Sequence, residues 1–97
     1  MIARLWTART HDPQAYQALF RTDVLAHLRA VDGFRGAYLL RRDHPAGVEF
    51  LTVTLFGSLA AVRGFAGEDY ESANVSAPAR QVLDDIDDRV RHFTVVL

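Results

Sequence analysis

The sequence contains no cysteine and no lysine. The first absence removes disulfides, thiolate nucleophiles and cysteine-ligated zinc or iron–sulfur centres. The second removes lysine Schiff-base chemistry and leaves arginine as the whole basic set of 11 side chains, which reads as the coding bias of a GC-rich bacterial genome. No apolar run approaches the ~18 residues of a membrane-spanning helix. A net charge of −1 gives no basic surface for nucleic acid or an anionic membrane. The opening MIARLWTARTHDP has no apolar stretch behind its early arginine and does not read as a secretory signal, so a cytoplasmic location is expected. Repeats, linkers and low-complexity segments are absent, and 97 residues suffice for one domain, 1–97, with one sheet and two or three helices.

What is present is a regular alternation of strand and helix signals. Ile2 to Arg9 alternates as a strand. Asp12-Pro13 is a helix start, with Asp able to accept from free N–H groups and Pro losing nothing at the first helical position. Tyr16, Leu19, Phe20, Val24 and Leu28 then form one apolar stripe, and Gly33 suits the turn that ends the helix. Residues 35–43 and 47–57 are strands joined by the turn residues of DHPAG, hence an antiparallel hairpin. Ser58 caps a second helix whose inner side is Leu59, Val62, Phe65 and Ala66; Ser76 and Pro78 open a short third helix; and residues 90–97 form a fourth strand. The order β-α-β-β-α-(α)-β predicts an α+β fold, a ferredoxin-like split βαβ domain with a four-stranded antiparallel sheet. The third strand is apolar on both faces, Leu51, Val53 and Leu55 on one and Phe50 and Phe56 on the other. Helices cover only one face of such a sheet, so a homodimer pairing sheet to sheet is expected.

The segments ARLWTAR, GFRGAYLLRR, VEFLTVTLFGSLAAVRGFAGEDY and RHFTVVL resemble, nearly end to end, the antibiotic-biosynthesis-monooxygenase-like family of the dimeric α/β-barrel superfamily. The resemblance implies a ligand pocket between sheet and helices and, as the leading function, a small cofactor-independent oxygenase acting on an aromatic, phenol-type molecule. A ligand-binding or structural dimer of the same fold is the alternative, with haem binding third. Haem-degrading members carry an asparagine on the first strand, then a tryptophan and a histidine around the second helix. This chain has Leu5, Trp6 and Thr7 on the first strand, Phe65 near the tryptophan position and Asn74 near the histidine position, which argues against that route. Quinone-forming members use Asn, Trp, Tyr and Arg; those residue types occur here without a residue-by-residue match.

Candidate site residues follow from the faces. Trp6, Tyr38 and His92, with Phe50, Thr52 and Thr54, are expected to share one sheet face that mixes aromatic surface with hydrogen-bonding groups. Alternation does not say which face meets the helices, so this face is either the pocket or the inter-subunit surface, with the latter preferred. His92 is the candidate acid or base and Tyr70 a candidate partner for a phenolate or quinone oxygen. Phe65 and Asn74 complete the expected ligand contacts, while His11, His27 and His44 read as solvated or structural. The run DDIDDR (84–89) lacks the spacing of a cation loop and reads as a solvated acidic exit from a helix, so no metal and no cofactor are expected.

Overall fold

Alternating side chains along IARLWTART make β1 (Ile2–Thr10) a two-faced strand, and it lies at the centre of the sheet. A computed structural model describes residues 1–97. β1 pairs antiparallel along its whole length with the last hairpin strand, Gly47–Phe56, which in turn pairs with Phe34–His44. These two are β2 (Phe34–His44) and β3 (Gly47–Phe56). On its other edge β1 carries two short strands, β4 (Asp85–Ile86) beside Ala8 and Arg9, and β5 (Arg91–Thr94) beside Ile2 to Leu5. The ferredoxin-like order is therefore present, with five strands in place of the expected four.

The extra strand comes from the aspartate run. Asp84 N–H donates to Arg9 O at 2.8 Å and Asp87 N–H to Thr7 O at 3.0 Å, so this backbone satisfies the free edge of β1. The carboxylates turn outward, Asp85 to Arg9 at 3.0 Å and Asp84 to His11. What reads in sequence as a solvated exit is half of a divided edge strand.

Three helical units lie on one face. The first is a continuous rod of α1 (Pro13–Leu19), a π-helical turn (Phe20–Val24) and α2 (Leu25–Arg29). Asp12 caps it by accepting from Ala15 N–H, and Leu25 N–H reaches back five residues to Phe20 O. The wide turn has a packing logic. Every fourth residue drifts about 40° around an ideal α-helix; one wide turn offsets that drift and keeps Tyr16, Phe20 and Leu28 buried on one side. The other units are α3 (Leu59–Ala66), capped by Ser58, and α4 (Ala77–Val82), capped by Ser76. Val62 and Phe65 face inward as expected, whereas Leu59 is exposed. None of these helices is long and apolar enough to cross a membrane.

The core lies between the helices and the side of the sheet carrying Ala8, Phe50 and Phe56. Phe56 is wholly buried and meets Phe34 and Phe65 at ring distances of 5.9 and 5.8 Å. Tyr38 departs from the expected arrangement. A two-residue turn, Pro45-Ala46, pairs His44 with Gly47, and that parity puts Tyr38 opposite Val53 rather than a threonine. Tyr38 therefore stands on the open face with Leu40 and Phe93, and is 62% exposed.

Candidate functional site

Between the sheet and the helices is a cavity of about 720 Å³, within the range that takes a small organic ligand. Its floor is the inward side of the two central strands, Arg4 and Trp6 from β1 with Thr54 and Thr52 opposite them on β3. The first helical rod supplies one wall through Tyr16, Phe20, Val24, His27 and Leu28. Phe65 from α3, with Asn74 and Val75 from the connection to α4, supplies the other. The π-turn belongs to this wall, where a wide turn aims side chains that a straight helix would rotate away.

Arg4 is the unusual member. It is only 9% exposed, and no carboxylate forms an ion pair with it. Its Nη1 donates to Tyr70 O at 2.7 Å and to His92 Nε2 at 3.0 Å, and the guanidinium lies over the Phe65 ring at 5.8 Å. Burial pushes its pKa down to about 10, the mark of a cation deprived of water without a counter-charge. Backbone carbonyl, imidazole and aromatic face together hold the group in place, and they supply partial charges only.

His92 follows from Arg4. A guanidinium only donates, so His92 Nε2 accepts and the neutral ring carries its proton on Nδ1. Burial and the Arg4 charge hold the His92 pKa below the usual histidine value, against a smaller opposing pull from Glu71. The ring stands edge-on to Tyr70 at 5.1 Å, and Tyr70 is covered on another side by Arg63 at 5.5 Å. Neither His92 nor Tyr70 lines the cavity; both stand behind Arg4.

Of the residues expected from sequence, Trp6, Phe65 and Asn74 come together around the cavity. The Trp6 indole also donates to Asp87 O at 2.7 Å, tying the connection between β4 and β5 to the floor. His92 and Tyr70 contact Arg4 and not the cavity, and Tyr38 lies on the opposite face of the sheet. The preference for an inter-subunit role for the Trp6 face is corrected, because that face lies under the helices. Sequence reasoning missed Tyr16 and His27 as lining residues. Burial pushes the Tyr16 phenol up, with the Thr52 hydroxyl opposing part of the shift. His27 Nδ1 donates to Asp23 O at 2.9 Å, which leaves Nε2 as an acceptor beside the cavity. A histidine four residues beyond Asp23 on the apolar stripe's flank was the available signal. Three or more His, Asp or Glu side chains do not gather anywhere in a metal-binding group.

No protein-family model matches the chain, and no curated protein sequence matches it. Solved structures do. A Bacillus cereus protein provisionally described as an antibiotic biosynthesis monooxygenase superposes with a TM-score of 0.62 at 11% identity, covering 99% of this chain and 91% of its own. Rv0793 of Mycobacterium tuberculosis superposes with a TM-score of 0.53 at 21% identity, covering 99% and 96%. The chain thus shares the ferredoxin-like fold of monooxygenase-like proteins over nearly its whole length.

Proposed function

We propose that the chain is a cofactor-independent monooxygenase-type protein whose cavity binds an aromatic, phenol-type small molecule. The carrying observation is the cavity itself: room for a fused-ring ligand, aromatic surface from Trp6, Phe20 and Phe65, and a few hydrogen-bonding groups, Arg4, Thr52 and Thr54, on its floor. The fold shared with monooxygenase-like proteins supports the reading. Reaction of a phenol with O2 to a quinone and water needs no electrons beyond those of the substrate. One oxygen atom enters the ring and the other leaves as water with two substrate hydrogens. The protein's part is to exclude water, hold the ring and stabilise the substrate anion that oxygen oxidises. Trp6 and Phe65 serve as ring contacts and Asn74 as a hydrogen-bonding group, with His92 and Tyr70 positioning Arg4. A homodimer that buries the open face of the sheet belongs to the same reading.

A ligand-binding dimer without chemistry is the second reading. It is favoured by one observation, that the Nε2 of His92 is engaged by Arg4 and so does not serve the cavity as a base. Oxygen uptake separates the two. A panel of polycyclic phenols is screened by thermal shift, and each binder is then followed with an oxygen electrode. A ligand at ~100 times its dissociation constant stabilises the fold by about 2.7 kcal/mol, several degrees for a domain this size. Binding with oxygen uptake supports the oxygenase, binding without it supports the second reading, and no shift across the panel overturns the oxygenase in favour of a structural dimer or one with a different ligand.

A further inference from the structure

An arginine that folds into a protein interior normally brings its own carboxylate, because an unpaired charge removed from water costs several kcal/mol. Arg4 brings none. Two acidic residues of this region are not its partners: Glu71 is held by Arg89 at 3.1 Å, and Asp23 lines the helical side of the cavity without pairing to Arg4. Both of its intramolecular bonds leave from Nη1. That leaves Nε and Nη2, the other three of the guanidinium's five N–H donors, without a partner in the chain. No buried side-chain nitrogen of the protein is sealed without a hydrogen bond, so these donors are not sealed off, and Arg4 is one of the residues that line the cavity.

We infer that the ligand of this cavity is an aromatic oxyanion, a phenolate or a carboxylate, and that Arg4 receives it through Nε and Nη2. The inference rests on the proposed aromatic site and specifies its substrate class. The fork of Nε and Nη2 matches two oxygens of a carboxylate or one phenolate oxygen. A ring attached to that oxyanion then lies beside Trp6 on the floor, with Phe65 flanking the guanidinium itself at 5.8 Å. His92 and Tyr70 O act as positioning groups. They take the two hydrogens of Nη1 and so fix the plane of the guanidinium, which determines where Nε and Nη2 point. A histidine suits that task because a neutral imidazole accepts without neutralising, and the full positive charge remains for the ligand. A carboxylate at position 92 would hold Arg4 as well and would extinguish the site.

Three probes of one shape test this in the wild-type protein: 2-naphthoate, 2-naphthol and the neutral 2-naphthalenemethanol, with affinities read by titration calorimetry. The expected result at about pH 7.5 is naphthoate binding tenfold or more tighter than the alcohol, the gain of a charge-assisted hydrogen bond. Naphthol affinity should rise between about pH 7.5 and about pH 9, as the naphthol ionises while Arg4 keeps its charge. Tightening of both anions supports an oxyanion site open to phenolates. Tightening of naphthoate alone supports the oxyanion site and turns its substrate class to carboxylates, against the phenol reading. Equal affinity for the alcohol and both anions overturns the inference while leaving the aromatic site intact. Binding of none of the three overturns the aromatic site as well. Arg4→Gln should reduce naphthoate to the affinity of the alcohol, and Arg4→Lys should restore part of the difference. His92→Gln, which keeps an acceptor, should retain naphthoate binding, and His92→Phe should lower it several-fold with the alcohol unchanged. A merely structural histidine would move both ligands together. If the Arg4 variants do not fold, the wild-type series still decides.

Discussion

Arg4 and His92 occupy registered positions on β1 and β5 and are joined side chain to side chain, Nη1 to Nε2, at 3.0 Å. The pairing links the terminal strand of the chain to the floor of its cavity. A single proton on Nε2 would replace an acceptor with a second cation, so the contact is sensitive to pH in a defined direction.

The His92 ring faces Arg4 on β1, Tyr70 and Glu71 in the loop after α3, and Arg63 beyond the Tyr70 ring. Its pKa in the fold lies below the usual value of 6.5, chiefly through burial and then through Arg4. The unfolded chain therefore binds this proton more readily than the folded one. Stability from this group is complete above the usual histidine pKa and is lost as pH falls through 6.5 toward the folded value. Melting temperatures followed from about pH 8 to about pH 5 should fall more steeply for the wild type than for His92→Gln, which has no proton to gain. Parallel curves would show that His92 is not the titrating group.

Trp6 is the sole tryptophan of the chain and forms part of the cavity floor. Its fluorescence should change on binding of a naphthalene probe, saturating at the affinity measured by calorimetry. Trp6→Phe removes the indole donor to Asp87 O and should cost about 1 kcal/mol in urea denaturation, the net worth of one hydrogen bond. A saturating calorimetric signal with unchanged fluorescence would place the ligand elsewhere.

Much of this arrangement is legible in the sequence. Period-two alternation located β1, β2 and β3, and Asp12, Ser58 and Ser76 marked three helix starts where all three side chains cap. These signals are local: each depends on a side chain and a backbone a few residues apart. What escaped is non-local. The strand at Asp85–Ile86 has little intrinsic β-propensity and exists because β1 offers an unpaired edge seventy-odd residues earlier. Tyr38 fell on the wrong face because parity across a hairpin depends on how many residues form its turn, and DHPAG permits more than one count. Arg4 shared an alternating face with Trp6, but its importance lies in the missing counter-charge, and only the assembled fold reveals that.

Gly33 is required by its conformation. Its φ of +88° belongs to the left-handed region, and an added Cβ would lie 2.8 Å from the Ala61 Cβ of α3. Gly33→Ala should therefore destabilise the fold by about 2–3 kcal/mol, the sum of a left-handed backbone penalty and a contact with a rigid neighbour. Gly36→Ala is the control, since nothing lies within 4 Å of its Cβ position and its φ is ordinary. It should change stability by less than about 0.5 kcal/mol. Equal effects would show that the helix–strand turn tolerates a side chain.

The corrected place of Tyr38 bears on assembly. The open face of the sheet carries Tyr38, Leu40 and Phe93, exposed by 62%, 49% and 48%, around the half-buried Leu5, Leu51, Val53 and Leu55. Strand faces of this composition seldom remain in water, and β3 has its other face already under helices. A second copy meeting the first through a two-fold axis would cover Tyr38 and Phe93 in both chains at once. Light scattering at micromolar concentration should accordingly give twice the mass of one 10.9 kDa chain. Tyr38→Glu combined with Phe93→Glu should return it to a monomer, because each charge is counted twice across such an interface and burying it among apolar side chains is costly, even with Arg91 beside position 93. The pair of substitutions lies outside the cavity, so naphthoate should still bind the monomer. A wild-type mass of one chain would remove the dimer, and a dimer unaffected by both substitutions would move its interface off this face.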